Sequence, residues 1–269
     1  MSRIEAALQK AQARNEGLLM PFVVLGDPDP ETSDAIIDAI LKAEPDILEF
    51  GFAFSDPPAD GPVIQAADRR ALRAGMTVDR AFESLARVRS KSDRPIALLI
   101  YYNLILSRGV DAFYARASEV GVDAVLVADV PIEEAAVSVR AAKAHGIMPI
   151  FIVSELTTDA RLQSILEVAD GYLYLVARIG VTGAQTTFDE QLASVIARVK
   201  KQTSLPIMAG FGISTPDHVR AVLNAGADGA ICGSALVQKI QQNMHTRTRM
   251  LFEVETFCRK MKDASKKPR

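Results

Sequence analysis

The apolar and polar positions of this chain alternate between two periods from one end to the other. Short, nearly continuous apolar runs recur eight times: Leu19–Gly26, Asp46–Gly51, Pro95–Tyr101, Ala124–Asp129, Met148–Val153, Tyr172–Ala177, Pro206–Gly210 and Gly229–Cys232. Runs that are apolar on both faces read as parallel strands covered on both sides. Between them lie segments with helical spacing. Ile36, Ile37, Ile40 and Leu41 follow Asp29-Pro30, a good N-cap and first-position pair, and Leu192, Val195, Ile196 and Val199 fall at i, i+3, i+4 and i+7. Gly121, Gly146 and Gly226 stand where helices hand over to strands, as C-terminal capping glycines do. Eight such units predict an α/β fold, a (β/α)8 TIM barrel with active residues where the strands end. A doubly wound sheet is the rival, but it does not need eight similar units. Extra helices are expected at residues 1–16, around 62–74 and at 246–261. No linker or low-complexity stretch divides the chain, so 1–269 is expected to be one domain, frayed and solvated from about Asp263.

Composition narrows the function. The 269 residues are 49% hydrophobic, enough for a sizeable core, and a formal charge of −2 with three histidines offers no basic patch for nucleic acid. Cys232 and Cys258 make neither a disulfide framework nor a metal motif and suit a reducing cytosol. No apolar run approaches the roughly 18 residues that span a membrane, and the first helix lacks the apolar centre of a signal peptide. A cytoplasmic protein is expected.

The stretch Leu48–Pro62 carries the sharpest chemical signal, because Glu49 sits inside an apolar strand on the face shared by Ile47 and Gly51. An isolated ionised glutamate there costs several kcal/mol or shifts its pKa upward. A structural pairing with Arg or Lys is the alternative, and the strand alone leaves both open. The loop that follows, rich in Gly, Pro and Asp and carrying Asp60, favours a binding loop on a rigid scaffold. Asp27, Asp56 and Asp129 stand near other strand ends, where turn or cap roles also suit them. Three glycine-rich turns close the last strands: Gly180–Gly183, Gly210–Ser214 and Gly233–Ala235. The second and third lie where such a barrel commonly holds a phosphate. None contains Lys, so backbone amides and hydroxyls, with Ser234 opening a helix, would bind the anion. No Lys falls at a strand end and no His cluster forms, so neither a Schiff-base amine nor a metal site is expected. Phe22, Leu99, Tyr101, Leu126, Ile152, Tyr174 and Phe211 add apolar surface from six strands. Two acids, a phosphate cradle and an apolar ring describe a substrate with a hydrophobic body, a phosphorylated tail and its own electron sink.

Taken together, Leu48–Pro62, Asp111–Pro131, Arg178–Ala184 and Gly210–Ser214 give a chain that closely resembles the tryptophan synthase alpha subunit family over almost its whole length. The resemblance implies a lyase that cleaves indole-3-glycerol phosphate to indole and glyceraldehyde 3-phosphate. It also implies a tryptophan synthase beta subunit as partner in an α2β2 heterotetramer, with pyridoxal phosphate in that partner and no cofactor in this chain. It implies Glu49 as the acid/base and Asp60 as the group that meets the indole N–H. Phe22, Leu99, Leu126, Ile152, Tyr174 and Phe211 would line the indole pocket. Gly183, Gly212, Gly233 and Ser234 match the phosphate-binding positions, and Thr182 the mobile-loop residue that meets Asp60. Contacts with the beta subunit would fall near Asp56, Pro57, Asn103 and Pro131. Ala53 stands where the family usually has Pro, and Ile179 where it has a small Ser; Pro58 and Tyr102 also differ. Within enzymes, another phosphate-binding barrel of the same pathway is the alternative, disfavoured by the missing strand-end Lys in the case of the synthase. A non-catalytic partner of a beta subunit is disfavoured by the two retained acids.

Overall fold

A computed structural model describes residues 1–176, 185–210 and 212–266, the side chains of 185–190 excepted. After an N-terminal helix α1 (Arg3–Ala13), the strands are β1 (Leu18–Val24), β2 (Leu48–Gly51), β3 (Ile96–Ile100), β4 (Ala124–Val127), β5 (Met148–Val153), β6 (Leu173–Val176), β7 (Ile207–Gly210) and β8 (Gly229–Cys232). They pair in parallel, each with the next and β8 with β1, into a closed barrel. All eight expected runs are strands, with bounds that match or shift by one or two residues. The helices are α2 (Pro30–Lys42), α3 (Pro62–Arg73), α4 (Val78–Lys91), α5 (Tyr102–Leu106), α6 (Val110–Glu119), α7 (Ala136–Ala144), α8 (Asp159–Leu166), α9 (Gln185–Lys200), α10 (Pro216–Asn224), α11 (Ser234–Asn243) and α12 (Arg247–Ala264). Asp29 caps α2 as its sequence suggests, its carboxylate accepting from the Thr32 amide. Gly121, Gly146 and Gly226 take φ of 80°, 71° and 104°, the left-handed conformation that ends a helix without a Cβ penalty.

Two departures have simple causes. The short α5 falls where the sequence suggested only a strand end, because five residues are too few to show a helical period. The expected fraying from Asp263 does not hold for Asp263–Lys266. The α12 helix runs to Ala264, the Gly17 amide donates to the Ser265 carbonyl at 2.8 Å, and Lys266 bridges to Glu16. Lys262 explains the anchoring: its Nζ lies 2.8 Å from Asp46 and 3.2 Å from Glu16, in a niche where all three side chains are nearly buried.

Inside the barrel, Leu18, Met20, Ile47, Ala97, Leu126, Ile150, Tyr172, Tyr174, Met208 and Ile231 form one cluster, and Ile4 and Ala11 of α1 join it from the end where the strands begin. Outward residues pack beneath the helices. At the strand starts one device repeats three times. Asp46, before β2, accepts from the Leu19 amide of β1; Asp123, before β4, accepts from the Ile96 amide of β3; Asp228, before β8, accepts from the Ile207 amide of β7, each at 2.8 Å. Each carboxylate is also matched to a cation, Lys262, Arg89 and Lys200 respectively. These clasps set strand register at the face that carries stability, leaving the opposite face for chemistry. Asp123 is the most shielded and also receives Arg3. Asp123→Ala, which strands the Ile96 amide and the Arg89 guanidinium, is expected to cost about 3 kcal/mol in urea unfolding, with Asp123→Asn losing less because its carbonyl still accepts from Ile96.

Candidate active site

The register places the acid. Glu49 lies opposite Phe22 of β1 and Ala97 of β3, and its parity with Ile47 turns it to the barrel interior, near the strand ends. It is 1% exposed, and among the described residues neither carboxyl oxygen has a hydrogen-bond partner. Burial therefore pushes its pKa up to about 8, so the group is a neutral acid at physiological pH. The structural reading, a glutamate paired with Arg or Lys, does not hold. The Arg70 guanidinium is committed to Asp27 through bonds of 2.7 and 2.9 Å.

Asp60 enters from the β2–α3 loop. Its Oδ2 accepts from the Tyr101 hydroxyl at 2.8 Å, and Phe54 stacks on the Tyr101 ring with centroids 5.3 Å apart. Burial raises the Asp60 pKa, and the Tyr101 hydrogen bond opposes that rise. The two acids share a cavity of about 270 Å³ at the strand ends. Its walls include Phe22, Leu99, Tyr174 and Ile231 on the apolar side, with Gly212, Ile213, Ser214, Gly233, Ser234 and Ala235 on the other. Two glycines let the rings reach in: a Cβ on Gly51 would stand 2.8 Å from Phe22, and one on Gly210 would stand 2.4 Å from the Tyr174 hydroxyl. Gly233 is the N-cap of the ten-residue α11, so the helix start and the amides of Gly233–Ala235 form an anion-favouring wall.

The structure thus brings together Glu49, Asp60, Phe22, Leu99, Tyr174, Gly212, Gly233 and Ser234. Three other expected residues stand elsewhere. Tyr101 acts on Asp60 and does not line the cavity. Leu126 and Ile152, on the adjacent strands β4 and β5, pack into the barrel interior with Tyr174. The cavity draws on β1, β2, β3, β6 and β8 and on the turns after β7 and β8, so β4 and β5 support its wall instead of forming it. Thr182, Gly183 and Phe211, with Arg178 and Ile179, lie outside the described residues. The remaining strand-end acids have structural partners: Asp27 holds Arg70, Asp129 accepts from the Tyr102 amide at 2.8 Å, and exposed Asp56 accepts from the Ser55 hydroxyl. Burial pushes the Cys232 thiol up to about 12, an inert structural cysteine.

Sequence reasoning missed Gln238 and the α3 residues Val63 and Ile64, which also line the cavity. It also missed Asp68. This residue is 3% exposed, accepts weakly from the Phe54 amide at 3.4 Å, and is pushed up to about 7 by burial and by the charge of Asp60. The signal was present, since Asp68 follows Ile64 by four positions on the buried face of α3. Among the described residues, no three His, Cys, Asp or Glu side chains are grouped to hold a metal, and no helix is long and apolar enough to cross a membrane.

The fold and this cavity define a (β/α)8-barrel protein with an acid–base centre and an anion cradle at the strand ends. Comparison with known proteins makes the class specific. The chain belongs to the tryptophan synthase alpha chain family, whose model matches residues 8–266. It is 49% identical over 266 residues to the tryptophan synthase alpha chain of Cronobacter sakazakii, covering 98% of this chain and 99% of that one. It is 50% identical over 245 residues to that of Methanothermobacter thermautotrophicus, covering 91% of each. Among solved structures, the alpha subunit from Legionella pneumophila superposes with a TM-score of 0.89 at 33% identity, over 98% of both chains. The family's reaction is that of a lyase, cleaving indole-3-glycerol phosphate to indole and glyceraldehyde 3-phosphate.

Two outcomes follow from the acids. Glu49 has a folded-state pKa above its ordinary 4.5, so the unfolded chain releases this proton first and folded stability falls as pH rises from about 4.5 towards 8. Glu49→Gln removes that ionisation. Its melting temperature is expected to match wild type near pH 3.5, about a unit below 4.5 where both states are largely protonated, and to exceed it progressively up to about pH 8.5. Tyr101→Phe removes the hydrogen bond from the Tyr101 hydroxyl to the Asp60 carboxylate. It is expected to lower kcat/KM for indole release by about ten- to a hundredfold, the scale of a hydrogen bond to a charged group, with little change in thermal melting.

Proposed function

We propose that Glu49 and Asp60 perform the family's cleavage in this chain, with the phosphate held by backbone amides in the Gly212–Ser214 turn and in Gly233–Ala235. The observation that carries the reading is the unpartnered, buried Glu49 carboxyl facing the same cavity as Asp60. A protonated Glu49 donates to C3 of the indole, which turns the ring into an iminium-like electron sink. The Glu49 carboxylate so formed takes the proton from the glycerol hydroxyl beside the ring. The C–C bond to the side chain then breaks, its electrons return to the indole, and the hydroxyl carbon leaves as the aldehyde of glyceraldehyde 3-phosphate. Asp60 accepts from the indole N–H and stabilises the positive charge that develops when C3 is protonated, and Tyr101 holds that carboxylate in place and in its charged form. Phe22, Leu99 and Tyr174 enclose the indole. The pyridoxal phosphate of the complex belongs to the beta subunit, and this chain's step is carried by its acids.

The partner is the tryptophan synthase beta subunit, in an α2β2 assembly within the cytoplasm. Asp56, Asn103 and Pro131 are exposed on the strand-end rim, whereas Pro57 is buried and shapes its loop from within. Leu106 and Leu156, 50% and 81% exposed in the segments after β3 and β5, add apolar surface to that rim. A small apolar product such as indole is retained best by release into a docked second enzyme. One experiment tests the assignment: indole release from indole-3-glycerol phosphate by wild type and Glu49→Gln, each alone and mixed with a beta subunit. Wild type is expected to form the complex and to turn over faster within it. Glu49→Gln is expected to form the same complex with turnover reduced by about 10²–10⁴-fold, because the amide keeps the shape and cannot exchange the proton. Near-normal turnover in the folded variant would remove Glu49 from the mechanism.

A further inference from the structure

The turn after β7 is held from behind by a histidine that does not touch the cavity. Gly212 has φ of +88°, a conformation suited to glycine, so the turn needs external support to keep one shape. His218 is the third residue of α10, whose N-cap is Thr215, and its own amide donates to the Thr215 hydroxyl. From there the ring reaches back over the turn. Its Nδ1 lies 3.0 Å from the Gly212 carbonyl oxygen, 3.3 Å from the Ser214 amide nitrogen and 3.4 Å from the Ser214 hydroxyl. A carbonyl oxygen only accepts, and it makes the shortest of the three contacts, so Nδ1 carries the hydrogen and donates it to Gly212.

One consequence reaches the cavity wall. In a trans peptide the carbonyl and the following N–H point in opposite directions, so fixing the Gly212 carbonyl towards His218 turns the Ile213 N–H the other way. The Ser214 N–H is itself directed at Nδ1, at 3.3 Å, so it faces the ring and not the cavity. Gly212, Ile213 and Ser214 all line the cavity.

We propose that His218 is a positioning residue for the substrate phosphate: by donating Nδ1–H to the Gly212 carbonyl it sets the Gly212–Ser214 turn with the Ile213 amide directed away from the ring and ready for an anion. The inference rests on the phosphate reading above and adds a residue to it. Loss of His218 lets the Gly212–Ser214 turn relax, weakens the hold on the phosphate, and leaves Glu49 and Asp60 untouched.

The test is calorimetric binding of glycerol 3-phosphate to wild type, His218→Ala, His218→Asn and Gly212→Asp, with indole-release kinetics on the His218 variants. His218→Ala is expected to weaken glycerol 3-phosphate binding by about three- to tenfold, the scale of one neutral hydrogen bond, and to raise KM by a similar factor while kcat holds. His218→Asn places an amide N–H near the position of Nδ1–H and is expected to restore most of the affinity. In ¹⁵N-histidine spectra of wild type, the His218 ring nitrogens are expected to shift on saturation with glycerol 3-phosphate. Wild-type affinity in His218→Ala, with binding lost in Gly212→Asp, overturns the role of His218 and keeps the phosphate site. Wild-type affinity in Gly212→Asp overturns the site itself. Equal weakening in His218→Asn and His218→Ala, or a fall in kcat in place of a rise in KM, shows that the ring's hydrogen bond is not what the phosphate reads.

Discussion

A carboxyl group with both oxygens out of water and out of reach of any described donor is held at the end of β2, and the mouth of the barrel is arranged around keeping it so. One guanidinium or ammonium beside Glu49 would return it to an ordinary carboxylate, useless as an acid towards a carbon centre at neutral pH. Arg70, on α3, is fixed by two bonds to Asp27. Apolar cover comes from Phe22, opposite Glu49 in the strand register, and from Tyr174. Both rings pass over glycines, Gly51 and Gly210, where any Cβ would collide. The raised pKa near 8 is therefore a property of the assembled barrel, present in no single element.

That arrangement has a thermodynamic cost, and the opposite face of the barrel offsets it. Asp46, Asp123 and Asp228 each satisfy an amide at the start of a neighbouring strand and a basic side chain at once. Carboxylates at the strand starts are paired and structural, whereas Glu49 at the strand ends is buried, unpaired and held neutral. The same chemical group does opposite work because one face supplies donors and the other withholds them. Asp60 lies between these extremes, buried enough to be raised yet steadied by the Tyr101 hydroxyl.

Much of this was legible in the residues. The eight apolar runs, the glycine caps and the Asp29-Pro30 helix start depend on local periodicity and backbone preference, and each appears where the pattern puts it. Glu49 and Asp60 were legible because a carboxylate in an apolar strand, followed by a Gly-Pro-Asp loop, conflicts with local preference. Such conflicts concentrate at functional sites. Asp68 carries a weaker form of the same conflict, an acid on the apolar stripe of α3, and escaped notice because helices show one acidic position far less sharply than strands do.

Sequence by itself determined the period of every strand, the class of barrel and the two acids, since these follow from residue type and spacing along one segment. Tertiary structure alone decided which side chains meet. Closure of the barrel left β4 and β5 out of the cavity wall, which turned Leu126 and Ile152 from expected pocket walls into support for Tyr174. It carried the Tyr101 hydroxyl 41 positions along the chain to Asp60, and joined the C-terminal Lys262 to Asp46 across 216. It also left both Glu49 oxygens without a hydrogen-bond donor among the described residues. Partnership and its absence are facts about neighbours distant in sequence, and a local pattern of apolar and polar residues contains no term for them.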